Sequence, residues 1–278
     1  MNRAIFLRLD DAWPDAPIEL PTLDALEWGR QLRFCAPAKT VEKFYRDFQL
    51  RLAPFTLYGS GDFHYLSGIW LRQFREILVL VSFDNHPDWA ITPPKWACGC
   101  WINRALELPQ VKHVSIWGCG NFECWWPHSV LGNRKAERQG RLEVHPWADH
   151  RPIEDRGRAG AILRENWRQR FEEFAAELGG ANVYTTIDLD CLRADEAATN
   201  WENGNFTVED VEWALGKLRE NARIVGGDVC GAYSTPDYAR WTQEFAANWD
   251  HPKIPPPSSE QIKSTSRAIE RLWPALTH

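Results

Sequence analysis

The feature that most constrains this chain is a set of short apolar runs separated by helical stretches. The clearest, Ile77-Leu78-Val79-Leu80-Val81-Ser82-Phe83, is apolar at odd and even positions alike. A strand of that kind has both faces covered, as in a parallel sheet sandwiched by helices. Val111 to Trp117, Val183 to Ile187 and Arg223 to Val225 read the same way. Between them, Leu163, Trp167, Phe171, Phe174 and Leu178 form a helical stripe that predicts a helix over 163–178. Thr207-Val208-Glu209-Asp210 opens a helix over 207–221 with a near capping box, Asp standing where Glu or Gln is usual. Alternating strands and helices predict an α/β fold of three layers, α/β/α, with a mostly parallel central sheet.

At 278 residues the chain is near the size at which one core stops growing, so a single domain over 1–278 is expected. His251-Pro252-Lys253-Ile254-Pro255-Pro256-Pro257 is incompatible with helix and should run extended. A last helix from about Ser258 to Trp273 follows, making about 249–278 a C-terminal arm of the same domain. A net charge of -6 and a pI near 5.8 argue against nucleic acid or anionic membrane as the main partner. No apolar run approaches the roughly 20 residues of a membrane span. The stretch from Met1 to Asp10 is too short and interrupted for a signal sequence. Seven cysteines, an odd number spread from Cys35 to Cys230, fit reduced thiols in a cytoplasmic protein.

Acids fall where such a sheet would present ligands. Asp84-Asn85-His86-Pro87-Asp88 follows the run ending at Phe83, and Thr186-Ile187-Asp188-Leu189-Asp190 closes the run beginning near Val183. Gly59-Ser60-Gly61-Asp62-Phe63-His64 follows Phe55-Thr56-Leu57-Tyr58. Parallel sheets bind ligands beyond the carboxyl ends of their strands, so the clusters should converge there. They offer Asp84, Asp88, Asp188, Asp190, His64 and His86. Singly, Asp188 and Asp190 read more often as turn or cap residues and His64 as a hydrogen-bonded loop histidine, while Asp84-x-His86-x-Asp88 after an all-apolar strand is the sharper signal. Together, so many carboxylates repel one another unless cations lie among them. Imidazole with carboxylate suits Mn, Fe, Co, Ni or Zn, and two ions sharing carboxylates would use the whole set.

These motifs resemble those of the ureohydrolases: arginase, agmatinase and formiminoglutamase. That family's Gly-Gly-Asp-His-Ser is similar to Gly59-Ser60-Gly61-Asp62-Phe63-His64, with one extra residue before the His. Its Asp-Ala-His-x-Asp matches Asp84 to Asp88, its Ser-x-Asp-x-Asp matches Thr186 to Asp190, and its last motif resembles Gly226-Gly227-Asp228-Val229. The resemblance implies an arginase-like fold with one ion held by His64, Asp84, Asp88 and Asp188. The other would be held by Asp84, His86, Asp188 and Asp190, with Mn²⁺ as the metal. It also implies hydrolysis of a linear amidine or guanidine C–N bond of a small molecule by metal-bridged hydroxide. Asp88 would be the catalytic carboxylate that passes the proton to the leaving nitrogen. Related ureohydrolases form trimers or hexamers, so a homo-oligomer is open.

The sequence departs from the family around the substrate. Guanidine-cleaving members carry a Glu three residues after the Asp of the last motif, where this chain has Gly231. Without that charge-assisted contact, arginine is not the expected substrate. The family's proton-shuttling His has no counterpart; Trp96-Ala97-Cys98-Gly99-Cys100-Trp101 occupies that region. Ala198 to Gly204 replaces the usual Pro-Gly-Thr-rich loop. Glu202 and Asp228 are candidates for the missing anion, against a plain cap or salt bridge. His128, His145 and His150 have no flanking acid pattern to single them out; His145 or His128 is a candidate shuttle only where the fold brings it near. Trp125-Trp126 reads as core or interface, with a substrate platform left open. Cys98, Cys100, Cys119 and Cys124 read as buried thiols, since neither spacing is the CxxC of a structural zinc site. Two other readings keep the fold: a histone-deacetylase-like amide hydrolase with one metal, and a non-catalytic metal-binding relative.

Overall fold

The computed structural model describes residues 3–13 and 17–278. Met1 and Asn2, where the N-terminal reading begins, lie outside the described residues. Eight strands form one sheet: β1 (Ala4–Arg8), β2 (Thr22–Asp24), β3 (Phe55–Leu57), β4 (Leu78–Phe83), β5 (Val111–Trp117), β6 (Leu142–His145), β7 (Asn182–Asp188) and β8 (Arg223–Cys230). Their spatial order is β2-β1-β3-β8-β7-β4-β5-β6, and every pairing is parallel. The predicted sheet was mostly parallel; the observed one is wholly so among the described residues.

Two large apolar clusters cover the two faces, as the all-apolar runs require. One holds Ile5, Leu7, Leu80, Val114 and Ile116 against Val41 and Phe44 of the helix Ala38–Phe48. The other holds Phe6, Val81, Phe83, Val183 and Ile187 against three helices, Trp167–Glu177, Val208–Asn221 and Ser259–Thr277. The layers are therefore helix, sheet, helix. Among the described residues no helix is long and apolar enough to cross a membrane.

The capping box is formed: Thr207 accepts from the Asp210 amide, and Asp210 accepts from the Thr207 amide. The helix expected over 163–178 starts later, at Trp167, because the Asn166 side chain folds back to accept from the Leu163 amide. The last helix runs past Trp273 to Thr277, through Pro274. Buried Leu272, Trp273 and Leu276 hold that final turn although Pro274 donates no hydrogen bond. The helix Trp241–Asp250 escaped the sequence reading. Its apolar spacing faces outward, with Trp241, Phe245 and Trp249 exposed and Gln243 and Ala247 buried.

Register places the site. Leu57, Val229, Ile187 and Phe83 lie in one row across β3, β8, β7 and β4. One residue further along, Cys230 pairs with Asp188, and Asp84 follows Phe83 beside them. Two residues back, Asp228 pairs with Thr186. Side chains alternate along a strand, so Asp188, Cys230, Thr186 and Asp228 all point to the same face.

Candidate functional site

His64 is carried by a short 3₁₀ turn, Gly61–Leu66, whose Ser60 cap accepts from the Asp62 amide. The turn follows β3 and brings the imidazole over the ends of β7 and β4. His64 Nδ1 lies 3.1 Å from Asp84 Oδ2, 3.3 Å from Asp88 Oδ2 and 3.5 Å from Asp188 Oδ2. On the other side of Asp84, His86 Nδ1 lies 2.9 Å from Asp190 Oδ2 and 3.7 Å from Asp84 Oδ1. Asp84 thus turns one oxygen to each imidazole. All six candidate ligands converge at the carboxyl ends of β4 and β7, as the motif positions predict. Ligand atoms of His64, Asp84 and Asp88 lie within 4.8 Å of one another, as do those of Asp84, His86 and Asp190.

His86 Nδ1 and Asp190 Oδ2 form a hydrogen bond, but on the His64 side the atoms are close without being hydrogen-bonded. His64 Nδ1 and Asp84 Oδ2 are buried and have no hydrogen-bond partner among the described residues. Donors aimed at acceptors would align; atoms aimed at a common point between them do not. The tautomer supports this. Thr186 Oγ1 donates to Asp228 Oδ1 at 2.7 Å, so it accepts from His64 Nε2, 2.9 Å away. Neutral His64 then presents the Nδ1 lone pair to three carboxylate oxygens, an arrangement that only a cation or proton satisfies.

The charges agree. Burial would lower both imidazoles, but the carboxylates beside His64 and His86 hold their pKa well above the usual histidine value. Burial would raise Asp84, yet those imidazoles bring it down to about 2. Burial, then the Asp84 charge, pushes Asp88 up to about 7. Burial and the neighbouring Asp190 raise Asp188 far above the ordinary carboxylate range. Two protonated imidazoles balance at most half of four carboxylates. Asp88 also has φ +44, an uncommon backbone for a non-glycine residue, and its Oδ2 accepts from the Trp101 indole at 2.6 Å.

Asp228 corrects the sequence reading. It was a candidate for substrate binding, but it is fully buried on β8 beneath Thr186 and does not line the cleft. Tyr58, Ser67, Tyr184 and Thr186 all donate to its carboxylate, so its work is to orient Thr186 and, through it, His64. Glu202 does line the cleft, its Oε2 3.5 Å from His86 Nε2.

Gly231 is structural. It has φ +104, and a Cβ there would lie 2.1 Å from Asp188 Oδ1 and 2.5 Å from the Leu189 amide. No side chain fits. Sequence reasoning missed two other acids of the cleft, Glu123 and Asp250, which come from the 3₁₀ turn Phe122–Cys124 and from the end of the unforeseen helix. It also missed Cys230, whose place beside Asp188 only the register reveals.

Asp62, quoted in the same motif as His64, turns away from the cluster. It accepts from Arg33 Nε at 2.7 Å and contacts His251 Nε2 at 2.7 Å, with the Trp201 indole at 3.2 Å. His145 lies off the cleft, stacked on Trp117 with ring centroids 3.7 Å apart. His128 packs against Phe122, which lines the cleft. Trp125 is buried and Trp126 exposed, and neither lines the cleft. Cys98, Cys100, Cys119 and Cys124 are buried free thiols, and among the described residues none joins a metal-type grouping.

No family model matches the sequence. An uncharacterised protein of Thermotoga maritima is 29% identical over 178 residues, 63% of this chain and 57% of the relative, so the match spans little more than half of the relative's length. Solved structures resemble the whole chain. Arginase from Bacillus cereus has a TM-score of 0.60 at 13% identity, covering 99% of this chain and 97% of that one. Agmatine ureohydrolase of Thermoplasma volcanium has a TM-score of 0.53 at 14% identity, covering 98% and 89%. Proclavaminate amidino hydrolase from Streptomyces clavuligerus has a TM-score of 0.54 at 13% identity, covering 96% and 93%. An all-parallel sheet of this order, with acids and histidines gathered at its carboxyl edge, is thus the arginase and agmatinase type of ureohydrolase fold, in a chain highly divergent from them in sequence.

Proposed function

We propose that the chain is a dinuclear-metal hydrolase that cleaves a non-peptide C–N bond in a linear amidine or guanidine other than arginine. The observation that carries this reading is the pair of imidazole nitrogens, each facing carboxylate oxygens, with Asp84 shared between them. His64, Asp84, Asp88 and Asp188 would hold one divalent ion, and Asp84, His86, Asp188 and Asp190 the other. A mixed nitrogen and oxygen donor set fits first-row ions, and the family resemblance favours Mn²⁺. When bound, such a pair supplies a water of lowered pKa and a Lewis acid for a trigonal carbon. A one-metal amide hydrolase would need only one histidine and two aspartates; two separate histidine groupings favour two ions.

The remaining steps belong to the chain. Asp88, fixed by the Trp101 indole, is placed beside His64 to take a proton and return it to the departing nitrogen. Trp201, packed against His86 with centroids 5.2 Å apart, walls the cleft and keeps solvent from the reacting carbon. Glu123, Glu202 and Asp250 line the same cleft and favour a cationic substrate. Among the described residues no Lys or Arg lines it, so a substrate carboxylate such as that of arginine would find neither to offset the repulsion of these acids. Protein loaded with Mn²⁺ should release urea, ammonia or formamide from amidines and guanidines that lack a carboxylate, in preference to arginine. Absence of all three products across a broad panel would rule out the substrate class.

A further inference from the structure

Cys230 lies against the proposed ligands, yet neither the motif resemblance nor the proposed ligand set uses it. It ends β8 in register with Asp188, so both side chains rise from neighbouring strands on the same face. Its Sγ lies 3.5 Å from Asp188 Oδ2, the oxygen that is itself 3.5 Å from His64 Nδ1. Ligand atoms of His64, Asp188 and Cys230 lie within 4.8 Å of one another, and all three residues are buried. A sulfur at about 2.3 Å and an oxygen at about 2.0 Å from one ion lie about 3.0–3.5 Å apart at the angles of about 90–110° found in four- to six-coordinate sites. In the metal-free protein the Cys230 thiol donates to Asp188 across this distance, and an ion would take the place of that proton. His64 Nδ1, 1% exposed and without a hydrogen-bond partner, marks where that ion would lie.

We propose that Cys230 is a thiolate ligand to the ion on the His64 side, joining His64, Asp84, Asp88 and Asp188. This rests on the dinuclear reading above and adds to it a choice of metal. A thiolate is a soft donor, so that position favours Zn²⁺ or Co²⁺ over Mn²⁺, whereas the His86 position, with only nitrogen and oxygen donors, keeps no such bias. On binding, the Sγ–H bond breaks, the proton leaves to solvent and the sulfur electron pair goes to the ion.

The test is to titrate the full chain with Co²⁺ and follow absorbance. Wild type should bind two ions and develop a near-ultraviolet sulfur-to-cobalt charge-transfer band. Cys230→Ser should lose that band while keeping the visible cobalt bands, and its preference for Zn²⁺ over Mn²⁺ should drop at least about tenfold. Cys98→Ser, which alters the thiol lining the cleft, should keep the band. X-ray absorption of wild type carrying two equivalents of Zn²⁺ should show sulfur at about 2.3 Å, a readout that needs no variant. Two bound ions with no sulfur signal, or a band unchanged in Cys230→Ser, would overturn the assignment and leave the dinuclear reading intact. No uptake of metal by wild type would overturn both.

Discussion

Two buried acidic networks lie side by side at the carboxyl edge of the sheet, and they are compensated differently. Around Asp62 the compensation comes from the protein: the Arg33 guanidinium pairs with its carboxylate, and His251 and the Trp201 indole also contact it. Burial would raise its pKa, but the Arg33 charge and the hydrogen bonds from Arg33 and His251 bring it to about 2. Around Asp84, Asp88, Asp188 and Asp190 there is no Arg or Lys partner among the described residues, and several of the carboxyls are driven upward. A buried carboxylate with a protein cation is a structural ion pair; one without awaits an external cation. Two residues apart in sequence, Asp62 and His64 serve opposite networks.

Replacing Asp188 by Asn should break the contrast most. It removes charge from the middle of the metal grouping, and affinity for both ions should fall by more than about 100-fold, beyond the effect usual for an outer partner. In metal-free protein the same change should be neutral or stabilising, because it relieves an unpaired buried charge. Thermal unfolding with and without chelator checks both halves. A metal-free Asp188→Asn protein markedly less stable than wild type would mean that Asp188 is compensated from within.

Arg33→Met should do the reverse. It strands Asp62, 0% exposed, and should cost about 3–5 kcal/mol of stability while metal stoichiometry stays unchanged. Denaturant unfolding and elemental analysis together distinguish the outcomes. Loss of metal at full folding would join the two networks into one.

Acid should dissect the Asp62 pair next. Its folded pKa of about 2 lies below the ordinary 3.8, so its ion pairs stabilise the fold above about pH 4. That contribution, about 2 kcal/mol, disappears as pH falls toward 2, where the carboxylate takes a proton. The stability gap between wild type and Asp62→Asn should therefore narrow over that range. A gap independent of pH would refute the charge origin.

Glu202→Gln should have the smallest effect. The side chain is 55% exposed, and water screens its charge. A rise of about fivefold or less in KM for a cationic amidine is expected, with kcat little changed. A larger loss in kcat would move Glu202 from the rim into the reaction.

Much of this was legible in one dimension. The apolar run before Asp84 forms a central strand, and the two Asp-bearing motifs end at neighbouring strand termini because strands carry their ligands at fixed offsets. The Thr207 capping box needed only four consecutive residues. Other features were hidden. The helix Trp241–Asp250 exposes its aromatic stripe and buries Gln243, so its pattern points the wrong way. Asp228 looks like a site residue because it sits in a family-like motif, yet it lies two residues short of the end of β8, so its carboxylate meets Thr186 and Tyr184 rather than the cleft.

By itself, the sequence determined the central strands but not β1, β2 or β6, and it determined which acids follow those strands and that the acids share one edge of a parallel sheet. Those properties depend on neighbours a few residues away and on a side-chain period of two. Only the tertiary structure decided what each buried acid meets. Arg33 and His251 reach Asp62 from 29 and 189 residues away, and Cys230 comes to Asp188 across 42. The sign of a carboxylate's role follows from its nearest counter-charge, and in a folded chain that counter-charge is a matter of space, not of order along the backbone.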